Sequence, residues 1–203
     1  MAKEGMQEFW TQLWEKDQIS FHRSDVHPTL IKYIDEMTAG QEKCRIFIPL
    51  CGKSKDIKWL ADCGHTVAGV ELSSIAIEDF FKESSVEYTT SPVKGLGDMD
   101  LYTSRDSSIF LYKGNIFDIT KYADLMRSML KPNGSCLLAS LEYDQSKMNG
   151  PPFSTPAETV EQLYATGWNI RRLDVKDGLI DKWRNKGLDA FTLRTFLLTK
   201  KEI

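Results

Sequence analysis

Apolar and polar residues alternate along the chain with two different periods, which predicts helices interleaved with buried strands. Continuous apolar runs at Arg45–Leu50 and Thr66–Leu72 are typical of strands that are covered on both faces. Between these runs, Ser54 can cap an amphipathic helix that continues to about Asp62, and Gly64 ends it. The order strand, turn, helix, strand predicts a βαβ unit and therefore a parallel sheet.

The same reasoning predicts the remaining elements. Helices are predicted over 5–17, 28–37, 73–83, 122–130 and 157–165, and strands over 101–104, 108–114, 135–141, 169–175 and 191–199. Tyr88–Gly97 is predicted to be irregular, because it contains Pro92 and two glycines. The last two strands are predicted to be antiparallel, because a polar segment links them where a parallel pair would need a crossover helix. No linker rich in Pro, Gly or Ser interrupts the chain, so we expect one α/β domain over residues 1–203, with two N-terminal helices in residues 1–40.

Composition excludes several classes of partner. The 203 residues carry a net charge of −3, so no basic excess points to nucleic acid or to an anionic membrane. No apolar run approaches the roughly 18 residues of a membrane span, and the N-terminus is too polar for a signal peptide. We therefore expect a cytoplasmic protein. It is predicted to be a monomer, because no coiled coil or exposed apolar stripe is evident.

Cysteine and histidine show no metal-binding pattern. The four cysteines form no CxxC pair, and the three histidines are scattered, so no metal site is predicted. Cys51 lies in the glycine turn between the first strand and its helix. We interpret it as a small residue that fits a tight turn and not as a nucleophile.

The turn around Gly52 could hold one of three ligands. A P-loop requires a glycine where this chain has Phe47, so that interpretation fails although Gly52 is followed by Lys53 and Ser54. A dinucleotide site prefers three glycines that let the backbone approach a pyrophosphate, and only one is present. S-adenosylmethionine has no phosphate and needs one tight turn and one acid for its ribose. Glu71, nineteen positions after Gly52, can be that acid. These residues favour S-adenosylmethionine without excluding a nicotinamide oxidoreductase.

Four motifs resemble the thiopurine S-methyltransferase family in the same order along the chain. They are FWTQLWEKDQISFH, RIFIPLCGKSKDIKWLADCGHTVAGVELS, GNIFD and NGPPFS. The resemblance implies a Rossmann-like class I methyltransferase, with a mostly parallel sheet, an antiparallel C-terminal strand and helices on both faces. It also implies S-adenosyl-L-methionine as the cofactor.

The resemblance further assigns site residues by position. Those expected at the cofactor are Trp10, Trp14, Phe21, Leu50, Cys51, Gly52, Glu71, Leu72, Asn115 and Ile116. Those expected at the substrate are Phe21, Pro151, Phe153 and Lys182. Trp10, Trp14 and the loop to Phe21 would form a flap over the cofactor. Glu71 would accept hydrogen bonds from the ribose hydroxyls.

The implied reaction is S-methylation of small aromatic or heterocyclic thiols by in-line methyl transfer. The donor is already activated, so the protein mainly positions two reactants and excludes water. No catalytic residue is assigned, because a heteroaromatic thiol ionises easily, and a cation such as Lys182 would favour its thiolate. Another small thiol, a selenium species or a halide is an alternative acceptor. A family member that binds the cofactor without turnover is a further alternative.

One departure from the family lies after GNIFD. Asp118-Ile119-Thr120 continues directly into Lys121, and roughly twenty residues that the family has there are absent, the length of one strand with its connections. The resemblance places that strand beside the first strand, near the cofactor. We therefore predict that one central strand is missing, as in a splice form or a diverged relative.

Overall fold

The computed structural model describes residues 3–93, 99–115, 130–150 and 152–201. Its contacts divide the chain into two compact units: residues 1–35 with 39–119, and residues 36–38 with 120–203. Each unit is described by itself, and the single domain over residues 1–203 stays a prediction. None of the helices in the described ranges combines the length and the apolar character that crossing a bilayer requires.

The first unit contains a five-stranded sheet with helices before and between its strands. Its elements are α1 (Lys3–Glu15), α2 (Pro28–Thr38, whose last three residues are grouped with the second unit), β1 (Arg45–Pro49), α3 (Lys55–Asp62), β2 (Thr66–Glu71), α4 (Ser74–Glu83), β3 (Tyr88–Pro92), β4 (Asp100–Ser104) and β5 (Ile109–Lys113). The strand order is β1-β2-β5-β4-β3. The pairs β1–β2 and β2–β5 are parallel, so the carboxyl ends of three strands meet at one edge of the sheet.

Two serine caps fix the helices that follow the parallel strands. The Ser54 hydroxyl accepts a hydrogen bond from the Asp56 amide at the start of α3, and Ser73 does the same for Ala76 in α4. Ile57 and Leu60 of α3 and Phe80 and Phe81 of α4 are buried in the core of this unit. The predicted βαβ unit is therefore confirmed as β1, α3 and β2, and α4 begins with the same kind of cap.

Two predictions about strands need correction. Tyr88–Pro92, predicted to be irregular, is a strand that pairs antiparallel with β4. All five of its side chains are exposed, so they produce no apolar alternation for the sequence to reveal. The apolar residues of β1 were expected to be covered on both faces, yet Ile46, Phe47 and Ile48 are only half-buried. Within the described residues β1 is an edge strand, paired on one side alone.

The second unit contains a three-stranded antiparallel sheet. Its elements are β6 (Ser135–Glu142), α5 (Ala157–Leu163), β7 (Trp168–Asp177), α6 (Asp181–Arg184) and β8 (Thr192–Lys200), and the strand order is β6-β8-β7. The predicted antiparallel pairing of the last two strands is confirmed. The rings of Trp183, Phe191 and Tyr143 stack in sequence beside Met148 and Leu188, with centroid separations of 4.8 and 5.7 Å. Most of the helix predicted over 122–130 lies outside the described residues.

Candidate functional site

The glycine turn, residues Leu50–Ser54, connects β1 to α3 at the carboxyl edge of the parallel strands. The Gly52 amide donates a hydrogen bond to Glu71 Oε2 over 2.9 Å, and the Ser73 amide donates to Glu71 Oε1 over 2.9 Å. Glu71 is the last residue of β2, so its carboxylate joins the turn after β1 to the start of α4. The two residues that the spacing predicted as a half-site are in direct contact.

The Glu71 carboxylate is buried, with 7% of the residue exposed. Burial raises its pKa above the ordinary value, and the hydrogen bonds from the Ser73, Gly52 and Leu72 amides offset part of that rise. Each carboxylate oxygen has two lone pairs, so an oxygen that accepts one amide can still accept a hydroxyl. The geometry therefore suits a carboxylate that orders the turn and binds vicinal hydroxyls.

The start of the glycine turn is strained. Leu50 has φ of 51°, a left-handed conformation that costs a residue with a β-carbon about 1–3 kcal/mol. Its apolar side chain is nevertheless 53% exposed. Strain of this kind is concentrated at functional sites, which makes Leu50 a candidate contact for a ligand.

Cys51 faces inward. A β-carbon added to Gly69 would lie only 2.7 Å from Cys51 Sγ, so the thiol fills the space beside a strand glycine. Burial raises the pKa of the Cys51 thiol far above its ordinary value, which removes the thiolate that a nucleophile needs. The geometry supports the interpretation of Cys51 as a small residue in a tight turn.

The predicted flap contains an aromatic cluster formed by Trp10, Trp14 and Phe21. The Phe21 ring makes edge-to-face contacts with Trp10 at 5.4 Å and with Trp14 at 5.7 Å. A β-carbon added to Gly52 would lie 3.2 Å from Trp14 Cζ2, so Trp14 packs directly on the turn. Trp14 is buried, whereas Phe21 is 46% exposed. The cluster thus adjoins the turn and presents one open aromatic ring.

The third parallel strand delivers Asn115 to the same edge. Glu71 is in register with Lys113 of β5, and the Gly114 amide donates to the Glu71 carbonyl over 2.8 Å. Asn115 follows immediately and is half-buried, and so is Leu72 after Glu71. Ile116 lies outside the described residues.

The predicted substrate residues other than Phe21 belong to the second unit. Phe153 is exposed, and a β-carbon added to Gly150 would lie 2.7 Å from its ring. Lys182 Nζ lies 4.9 Å from the centroid of the Trp183 ring, a cation–π contact at the end of the aromatic stack. Pro151 lies outside the described residues.

The sequence interpretation missed two acids that contact the turn. Lys53 Nζ lies 2.7 Å from Glu83 Oε1 and 3.3 Å from Asp79 Oδ2, both on α4. Asp79 and Glu83 are four residues apart and therefore lie on one face of α4. This spacing was the feature of the sequence from which an acidic partner for a lysine could have been predicted. The Lys53 ammonium is paired with acids of α4, whereas the lysine of a P-loop contacts the phosphates of its ligand.

Comparison with known proteins places this chain in a family. The sequence matches the family model described as thiopurine S-methyltransferase over residues 6–121 and 119–201. It is 35% identical to the thiopurine S-methyltransferase of Mus musculus over 219 residues, which covers 96% of this chain and 91% of the mouse protein. The chain belongs to the thiopurine S-methyltransferase family. S-adenosylmethionine is the methyl donor of this family, and the chain is a methyltransferase.

Solved structures confirm the fold class. A phosphoethanolamine N-methyltransferase from Haemonchus contortus, in complex with S-adenosylhomocysteine, superimposes with a TM-score of 0.58 at 14% identity, covering 86% of this chain and 53% of that one. A methyltransferase from Geobacter sulfurreducens, also in complex with S-adenosylhomocysteine, gives 0.54 at 10% identity, covering 87% and 92%. The fold is that of class I S-adenosylmethionine-dependent methyltransferases.

The family match is broken where the missing strand was predicted. Its two segments meet at residues 119–121. The mouse alignment includes 96% of 203 residues, about 195, which leaves about 24 of its 219 positions without a counterpart here. The break in the family match lies where the deletion was predicted, and the surplus of the mouse alignment is close to the predicted roughly twenty residues.

Proposed function

We propose that this chain binds S-adenosylmethionine at the glycine turn and transfers its methyl group to a small aromatic or heterocyclic thiol. The observation that carries the proposal is the hydrogen bond from the Gly52 amide to Glu71, because it joins the turn to the acid. Glu71 retains lone pairs for the ribose hydroxyls. Nothing in the turn requires a phosphate, since the one ammonium there is paired with α4.

The residues around the turn would position the cofactor. Leu50 and the backbone of Cys51 and Gly52 would contact its methionine portion, and Leu72, Asn115 and Ile116 would contact its adenine. When bound, S-adenosylmethionine supplies an electrophilic methyl group on a sulfonium. The faces of Trp10 and Phe21 tolerate a neighbouring cation, because the π-system attracts positive charge.

The acceptor side would need little chemistry from the protein. A heteroaromatic thiol ionises near neutral pH, so a positioned thiolate can attack without a strong base. The exposed ring of Phe21 would contact the acceptor. The resemblance also assigns Pro151, Phe153 and Lys182 to the acceptor, and the positive charge of a lysine favours a thiolate. The protein is proposed to act on small molecules as a cytoplasmic monomer.

Calorimetry with S-adenosylhomocysteine tests the cofactor site. We expect the wild-type protein to bind and Glu71→Gln to bind at least about tenfold more weakly, a loss of about 1.4 kcal/mol. Glu78→Gln is the matched control, because Glu78 is an exposed acid on α4 and its replacement should leave affinity unchanged. Equal affinity of the wild-type and Glu71→Gln proteins would contradict the proposed site.

Transfer of a radiolabelled methyl group to 6-mercaptopurine tests the acceptor class. We expect product from this thiol and none from the corresponding hydroxyl compound, because an oxygen acceptor would require a stronger base. Methylation of aliphatic thiols, selenium species or halides in place of 6-mercaptopurine would overturn the aromatic-thiol assignment.

The break at residues 119–121 supports a second candidate function, which is cofactor binding without turnover. The family match is interrupted there, while the segment from β1 to α4 is intact. Binding of S-adenosylhomocysteine with no methyl transfer to any acceptor of the panel would favour this candidate.

A further inference from the structure

Lys53 is a buried cation in the glycine turn. Only 9% of its side chain is exposed, and its Nζ contacts Glu83 Oε1 and Asp79 Oδ2, one helical turn apart on α4. A lysine is seldom buried unless it is paired, so these two acids account for its position. Lys55, by comparison, is more exposed and contacts Glu83 alone, at 3.1 Å.

Lys53, Asp79 and Glu83 form a charged cluster in which opposite charges stabilise one another. Burial disfavours the Lys53 ammonium, but the hydrogen bonds from it to Glu83 and Asp79 outweigh burial and raise the pKa of Lys53. The hydrogen bond from Lys53 also lowers the pKa of the Glu83 carboxyl below its ordinary value. Both shifts favour the charged forms of Lys53 and Glu83, as expected for an ion pair.

The ion pair complements the contact that Glu71 makes. Glu71 fixes the turn from the end of β2 through the Gly52 amide, and the next residue, Lys53, fixes it from α4. Burial, and then the charge of Lys53, lower the pKa of His22, the residue that follows the flap. A strained turn that starts at Leu50 is thus held from two different elements.

We propose that Lys53 is a positioning residue for the cofactor, acting through Asp79 and Glu83. Its ion pairs hold the glycine turn in the conformation that directs the Gly52 amide at Glu71 and leaves Leu50 exposed. Lys53 itself does not touch the ligand. This inference rests on the cofactor site proposed above and adds α4 to the elements that determine affinity there.

Lys53→Met tests the inference, with Lys55→Met as the matched control. Both changes remove one ammonium next to Glu83, but only Lys53 also pairs with Asp79 and lies in the turn. At a temperature where all variants are folded, we expect Lys53→Met to weaken S-adenosylhomocysteine binding about tenfold and Lys55→Met less than about twofold. Lys53→Arg should recover most of the affinity, because it keeps the charge.

Amide hydrogen exchange of residues 50–54 in the ligand-free protein supplies a second readout. We expect Lys53→Met to speed exchange there and to leave the peptides of β5 unchanged. If the wild-type protein binds and Lys53→Met binds equally well with equal exchange, the role of Lys53 is overturned while the cofactor site stands. If the wild-type protein binds no S-adenosylhomocysteine, the proposed site fails, and the positioning role fails with it.

Discussion

At the scale of single residues, Glu71 makes cofactor binding depend on pH. Its pKa is raised mainly by burial. Protonation places a donor O–H on one oxygen, so the neutral group accepts hydrogen bonds from two ribose hydroxyls less well than the ionised carboxylate does. Affinity should therefore be complete above the raised pKa and fall as the pH drops through it, at a higher pH than for an exposed glutamate. Titrations of S-adenosylhomocysteine between about pH 8 and about pH 5 measure this directly.

The control for that pH dependence is Glu71→Gln, whose weaker affinity should vary little over the same range. The comparison matters because His22 also titrates near the turn, and its pKa is lowered mainly by burial. If the wild-type affinity varies with pH no more than that of Glu71→Gln over the range in which both proteins stay folded, the role of Glu71 is contradicted.

Gly52 is the second residue-scale prediction. It has φ of 49° and Trp14 lies against it, so Gly52→Ala should both strain the backbone and displace the indole ring. We expect a loss of about 1–3 kcal/mol in the free energy of unfolding, a shift in tryptophan fluorescence and weaker cofactor binding. Urea unfolding followed by fluorescence measures the first two together.

Gly40→Ala separates strain from the contact with Trp14. Gly40 has φ of 71°, but no atom lies within 4 Å of an added β-carbon. It should therefore lower stability and leave fluorescence and cofactor affinity unchanged. If both variants behave alike, the contact of Trp14 with the turn has no effect on binding.

At the scale of elements, the cap of α4 should affect stability without affecting the ligand. Ser73→Ala removes the hydroxyl that accepts from the Ala76 amide, but it keeps the Ser73 amide that donates to Glu71. We expect a loss of about 1 kcal/mol in the free energy of unfolding, with unchanged affinity for S-adenosylhomocysteine. Ser74→Ala, one position into the helix, is the control and should cost less.

The elements that the sequence predicted well are those with a periodic apolar signal. The strand predicted over Arg45–Leu50 is observed over Arg45–Pro49, and the one over Thr66–Leu72 is observed over Thr66–Glu71. The spacing of nineteen positions also predicted that Gly52 and Glu71 belong to one site, and the two residues are in contact. The strand β3 was missed because its exposed side chains show no apolar alternation. The ion pairs of Lys53 were missed because the spacing of Asp79 and Glu83 does not identify a partner that lies 26 and 30 residues earlier in the chain.

At the scale of the molecule, each unit has an apolar strand with one unpaired edge. Among the described residues, β1 pairs only with β2, and β6 pairs only with β8. Both strands are rich in Ile, Leu or Phe, and a groove of about 230 Å³ beside β6 is lined by Leu138, Leu141, Phe153 and Leu163. Unpaired apolar edges promote self-association, because their amides and carbonyls can pair with another chain.

Restoring the segment that the mouse relative has at the break should therefore stabilise the protein. We expect a chimera with that mouse segment, roughly twenty residues or one strand with its connections, inserted between Ile119 and Thr120 to unfold at a higher temperature and to aggregate less than the present chain. It should also bind S-adenosylhomocysteine more tightly, because the resemblance places the missing strand beside β1. Thermal unfolding, light scattering and calorimetry measure the three effects.

A Gly/Ser insertion of the same length is the control, because it extends the chain without supplying an apolar strand. It should leave aggregation unchanged and lower stability slightly, as a longer flexible loop costs entropy. If the mouse segment brings no gain over this control, a missing strand does not account for the unpaired edge of β1. Activity should then be sought in the chain as it stands.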